Sequence, residues 1–306
     1  MGAASRRTTG RHTQSERLLG LEMSRHAFLI IAHDNFSVLK RLIEALSHPN
    51  VDIYLHIDAK VKSVPSFGSD NPHLFLLAHR VDTRWGDFSQ IETEYVLLET
   101  ALNHGGYAYY HILSGTHFPL MPIHRILRFF DSEEGRIIFH DLCVSTAYQE
   151  WFKLRSFNIL TRHYGYGAPS VRRFCQMMNR FGHSIQKTLR IERNKRISFH
   201  KASNLASFPE DAVRLLIDRK PLVKRLFKYT FCGDEYFAPT ILMASKLKSK
   251  IINYDRYLKL EMGEANPRVF RIGDYDQLAG SGFLFARKFN DANLDLVDQI
   301  QNLIDS

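Results

Sequence analysis

The chain has 306 residues, 44% hydrophobic and 24% charged, which suffices to close a buried core and excludes a disordered or low-complexity chain. A formal charge of +9 points to an anionic partner, whether a nucleotide diphosphate, a phospholipid surface or nucleic acid, without choosing among them. Three widely spaced cysteines, Cys143, Cys175 and Cys232, with no CxxC pair, argue against a disulfide framework or a thiolate zinc site and for a reducing compartment.

Residues 1–23 carry Arg6, Arg7, Arg11 and Arg17 but no apolar core. They are expected to form a disordered leader, or an over-called start with Met23 as initiator, and not a secretory signal. No apolar run reaches the roughly 18 residues of a membrane span. The run AFLIIA at 27–32 is continuously apolar, as in a strand buried on both faces. Residues 36–46 place Phe36, Leu39, Leu42, Ile43 and Leu46 at helical spacing. A second strand is expected over 51–57 (VDIYLHI) and a third over 74–77. An amphipathic helix over 90–102 and a strand over 107–113 (YAYYHIL) follow. This alternation predicts an α/β domain with a mostly parallel central sheet flanked by helices. Such sheets bind ligands beyond the carboxyl ends of their strands. The groups to watch are therefore His33-Asp34-Asn35, Asp58-Ala59-Lys60 and Ser114-Gly115-Thr116-His117.

Over 148–196 the pattern loosens and basic residues multiply, which fits an irregular helical insertion facing an acceptor or a membrane, and equally a solvated basic surface. A strand-like pattern returns at 199–208, and helices are expected over 210–217, from 234 to 243, and over 294–304. There is no internal repeat.

Four segments could carry chemistry. In FCGDEYF (231–237) two adjacent carboxylates, Asp234 and Glu235, follow a Gly turn, a pattern that serves a general base or simple helix capping. In SGFLFARKF (281–289) Lys288 could balance a diphosphate, with Arg268 or Arg271 adding a planar fork, or the cations could merely be solvated at a strand end. In VDTRWGDFSQ (81–90) Trp85 beside Gly86 suits a pocket loop or a core plug. Asp274-Tyr275-Asp276 spells a metal-binding D-x-D, but it lies in a polar turn and not at the end of a buried strand, which favours chance or capping. The fifteen histidines show no H-E-x-x-H spacing, and neither a Walker loop nor G-x-G-x-x-G occurs.

Taken in order, AFLIIAHDN, IYLHIDAK, VDTRWGDFSQIE, YYHILSGTHFPL, FCGDEYFAPTIL and FLFARKF resemble the core-2/I-branching β-1,6-N-acetylglucosaminyltransferases and related peptide O-xylosyltransferases. The pieces run from Ala27 to Phe289. The resemblance implies a GT-A-like nucleotide-sugar transferase fold, a single domain over 24–306 with a UDP-binding half (24–120) and an acceptor and catalytic half (121–306). It implies inverting transfer of GlcNAc or xylose from a UDP-sugar to an acceptor hydroxyl, without a metal cofactor. Matched residue by residue, Glu235 falls on the base, Lys288 on the diphosphate lysine, and Arg268, or else Arg271, on the diphosphate arginine. Ile31, Ala32, His33, Asp58, Ala59 and Lys60 fall on the uridine-binding strand ends, and Trp85 beside the donor. The chain departs from the family at Ser203-Asn204-Leu205-Ala206, where a Trp is often found, and at Tyr257-Leu258-Lys259-Leu260, where acceptor-binding aromatics are expected. Animal members carry an anchor and lumenal disulfides, so the likeness is to a bacterial-type enzyme, cytoplasmic or peripherally membrane-bound, acting on a carbohydrate or glycoconjugate and not on nucleic acid. Two other readings stay open: a metal-dependent transferase using Asp274 and Asp276, and a non-catalytic basic binding module.

Overall fold

A computed structural model describes residues 23–67, 71–165, 167–263 and 267–306. The leader expected at the N-terminus falls, Met23 apart, outside the described residues. Twelve described strands follow in chain order: β1 (His26–Ala32), β2 (Val51–Ile57), β3 (Leu74–Leu76), β4 (Tyr109–Ser114), β5 (His117–Pro119), β6 (Ile137–Phe139), β7 (Cys143–Val144), β8 (His200–Lys201), β9 (Ser207–Pro209), β10 (Ile251–Asn253), β11 (Leu258–Lys259) and β12 (Phe285–Arg287).

Seven of them form the main sheet in the order β10-β6-β9-β4-β1-β2-β3. The pairings β1–β2, β1–β4, β2–β3 and β10–β6 are parallel, and only β9 runs against its neighbours. β1 sits in the middle because its sequence is apolar at nearly every position: Ala27, Phe28, Leu29 and Ile30 are wholly buried. Helices Phe36–Ala45 and Ser89–His104 form the crossovers from β1 to β2 and from β3 to β4. The chain leaves β1 toward β2 on one side and reaches β4 on the other, so strand order reverses between β1 and β4. That crevice at the carboxyl ends is where an open α/β sheet binds ligand. A second sheet, β11-β12-β5, and the pair β7–β8 lie beside it.

Three expectations are revised. The single strand expected over 199–208 is split into β8 and β9, in different sheets. Between them the Ala202 N–H donates to the Glu235 carbonyl and the Ser203 N–H to that of His140, which pulls the backbone out of any ladder. The helix expected from 234 begins later, at Phe237–Met243, with Asp234 and Glu235 in a preceding 3-10 turn, Gly233–Glu235. The N-cap of that helix is Tyr236, which makes no side-chain capping hydrogen bond. The loose stretch over 148–196 contains a regular 20-residue helix, Pro169–Thr188, preceded by a π-helical turn, Trp151–Arg155.

Candidate active site

A cleft of about 350 Å³ opens at the carboxyl ends of β1, β2 and β4. Ile31 and Ala32 at the end of β1 with His33 after it, Asp58 and Lys60 after β2, and Leu113 and Ser114 of β4 line it. A smaller hollow continues from it, sharing Ile31, Ala32, His33, Ser114 and Arg287 and adding Lys288. The two strand ends approach closely: a Cβ on Gly115 would stand 2.8 Å from the Ala32 Cβ, so only glycine fits there. A larger cavity of about 530 Å³ lies at the other end of the sheet, beside Ser24 and Ala108, which precede β1 and β4. Strand polarity places ligand binding in the smaller cleft.

One wall is a charge network. Lys60 Nζ donates to Asp58 Oδ2 at 2.6 Å and to Asp82 Oδ1 at 3.1 Å. Arg84 grips Asp82 with two hydrogen bonds of 2.7 and 2.8 Å, and Arg162 adds a third cation at 2.9 Å. These donors depress the Asp82 carboxyl to about 2, its hydrogen bond from Arg84 being the largest cause. Lys60, Arg84, Arg162 and Arg287 all line the cleft. They outnumber the acids facing them there, Asp58 and Glu94. Behind this wall His56 is buried, accepts from the Val81 N–H at 2.8 Å, and has its pKa lowered to about 4 by desolvation, so it stays neutral and fixes the 80s loop to β2. Arg287 is half-buried, its guanidinium pKa is lowered by desolvation, and its Nε has no partner among the described residues. A partly desolvated guanidinium at a cleft wall is stabilised by an anion bound beside it.

Trp85 stands 58% exposed at the mouth, which rules out the core-plug reading. Its loop is stapled to the segment that leads into the Gly233–Glu235 turn: Trp85 meets Phe231 edge to face at 5.2 Å, and the Cys232 N–H donates to the Gly86 carbonyl at 2.9 Å. Gly86 adopts φ +73°, and a Cβ there would come within 2.3 Å of the Phe231 ring.

Glu235 is not part of the cleft lining. Its Oε2 lies 3.5 Å from each of Lys153 and Lys201. Its neighbour Asp234 is buried and accepts from Gln90, a lining residue, at 2.9 Å, while Asp234 Oδ1 has no partner among the described residues. Burial first, then the charge of Glu235, raises the Asp234 carboxyl to about 7. Glu94, which also lines the cleft, is pushed well above the usual carboxylate range by desolvation and by Asp234. The turn thus presents one solvent-accessible carboxylate backed by a buried pair of acids.

Ile31, Ala32, His33, Asp58, Lys60 and Trp85 therefore meet in one cleft, and Lys288 in its extension. Ala59 is exposed and outside the lining. Arg268 lines neither hollow: its guanidinium is taken up by Asp274, at 2.7 and 2.9 Å, and by Glu261, at 2.6 Å. Arg271 is exposed, one residue after Phe270, whose N–H donates to the Lys288 carbonyl at 2.9 Å. The D-x-D does not fit a metal: both Asp274 oxygens accept from Arg268, and the Arg271 N–H and Gln277 add donors. Sequence reasoning missed Arg84, Arg162 and Arg287 as cleft cations and Lys153 and Lys201 as partners of Glu235. Arg287 was signalled by its place beside Lys288; Arg162 and Lys153 sit in an aperiodic stretch that offered no signal.

A family model described as Core-2/I-Branching enzyme matches residues 26–277, most of the chain and inclusive of Glu235. No curated protein matches it.

Proposed function

The chain belongs to the Core-2/I-branching enzyme family and is a glycosyltransferase of GT-A-like fold, using a nucleotide-sugar donor and a glycoconjugate acceptor; from that premise we propose that it is an inverting, metal-independent enzyme that transfers GlcNAc or xylose from a UDP-sugar. The observation that carries this reading is the cationic cleft at the β1/β4 switch point, continuous with a hollow walled by Arg287 and Lys288. Uridine would lie against Ile31, Ala32, His33 and Asp58, with the diphosphate toward Arg287 and Lys288. Fixed guanidinium and ammonium groups stabilise a departing diphosphate without a metal ion. The occupation of Asp274 by Arg268 supports metal independence and tells against a D-x-D centre.

In the reaction, Glu235 takes the proton of the acceptor hydroxyl, whose oxygen attacks the anomeric carbon opposite UDP. The bond from that carbon to the β-phosphate oxygen breaks as the new glycosidic bond forms, and configuration inverts. Lys153 and Lys201 orient the base by charge. The buried acids Asp234 and Glu94 support the turn from behind.

Glu235→Gln is expected to lower transfer by about 10²–10⁴-fold, the usual cost of removing a general base. UDP affinity, read by calorimetry, should hold. Near-normal turnover would remove Glu235 from the chemistry, and strict Mn²⁺ dependence in a chelator titration would overturn metal independence.

A further inference from the structure

The helix Pro169–Thr188 is amphipathic in the inverted sense. Its inward face carries Cys175, Asn179 and His183, all buried. Asn179 Nδ2 donates to Asn158 Oδ1 at 3.0 Å, and His183 Nε2 reaches the same oxygen at 3.2 Å. Gln186 closes a two-way pair with the Phe157 backbone, at 2.7 and 3.1 Å. These hydrogen bonds fix which side faces the protein. The apolar side chains consequently point to solvent: Val171, Phe174, Met178, Phe181 and Ile185 recur every three or four residues, with Met177 and Leu189 beside them. Phe174 is 56% exposed, Phe181 61% and Leu189 63%. Left bare, a stripe of this size is unfavourable in water.

The charges around the stripe say what covers it. The helix contains no acidic residue, and Arg173, Arg180 and Lys187 are exposed along it, with Arg190 just beyond its end. Two copies of such a face would bring like charges together, which disfavours self-association. An anionic bilayer satisfies both features, since the apolar stripe enters the acyl boundary while the cations meet phosphate headgroups. We propose that Pro169–Thr188 is an interfacial helix that seats the enzyme on an anionic phospholipid surface. The helix is joined to the catalytic turn through Trp151–Arg155: Trp151 and Phe152 pack on His183 at 5.8 and 4.8 Å, and Lys153 from the same turn contacts Glu235. Docking therefore holds the base at a fixed relation to the membrane surface.

The test is co-sedimentation of the full chain with vesicles of equimolar phosphatidylcholine and phosphatidylglycerol, beside vesicles of phosphatidylcholine alone. Binding is expected to the anionic vesicles only. Phe174→Ser with Phe181→Ser should weaken it at least ~30-fold, and Arg173→Gln with Arg180→Gln by ~5-fold per charge. Both double variants should keep native circular dichroism and UDP affinity, so a failure here is separable from a failure of the glycosyltransfer reading. The proposal is overturned if the wild type binds neither vesicle, if neutral vesicles bind as tightly, or if Phe174→Ser/Phe181→Ser binds unchanged. Sedimentation velocity showing a dimer that this same variant dissolves would overturn it in favour of a second copy.

Discussion

Asp234 should make the protein's stability fall as pH rises from about 4 to about 7. The residue is fully buried beside the Glu235 charge, and these two influences, burial the larger, raise its carboxyl to about 7 from the ordinary 3.8. Within that window the native state keeps the proton while the unfolded chain has released it. The unfolded state then binds fewer protons, so unfolding free energy declines with pH and levels off above about 7. A displacement of this size corresponds to on the order of 4 kcal/mol, as an upper bound because Glu94 shares the burden. Asp234→Asn keeps the shape and the acceptor for Gln90 Nε2 and removes the titration. Urea unfolding at one-unit intervals from pH 4 to pH 8 should give wild type and Asp234→Asn nearly equal at the acid end. At the alkaline end the variant should be the more stable by up to about 4 kcal/mol. Parallel curves across the window would refute the placement of an uncompensated carboxyl in the Gly233–Glu235 turn.

Gly86→Ala combines a left-handed backbone angle with a contact to Phe231 too short for any Cβ, so it should cost about 1–3 kcal/mol in urea and loosen the Trp85 loop, seen as weaker UDP binding. Lys288→Ala should weaken UDP binding about 10–100-fold, the worth of a charge-assisted contact, with little change in urea midpoint. Arg268→Ala should do the opposite: its partners are Asp274 and Glu261, so stability drops by about 1 kcal/mol or less while UDP affinity holds. An Arg268 variant that binds UDP poorly would return that residue to the donor site.

The sequence by itself determined the sheet and the places where ligand would gather. The continuous apolar run AFLIIA and the short, β-branched and aromatic run VDIYLHI mark strands, and a strand's end is marked by its first polar residues, so His33, Asp58 and Lys60 are legible as candidate ligand-site residues. The Asp234-Glu235 pair and Lys288 were legible too, because charge interrupting an apolar pattern is conspicuous locally. Tertiary structure alone decided which cations face the cleft. Arg268, Arg271, Arg287 and Lys288 are equivalent in sequence, yet two carboxylates claim Arg268 while Arg287 and Lys288 line the smaller hollow. It also decided the sense of the helix Pro169–Thr188: periodicity shows that a helix has two faces, but only the hydrogen bonds of Asn179, His183 and Gln186 to residues 157 and 158 reveal that the polar face points inward. Pairings across such sequence distances are set by packing, which a linear pattern does not encode.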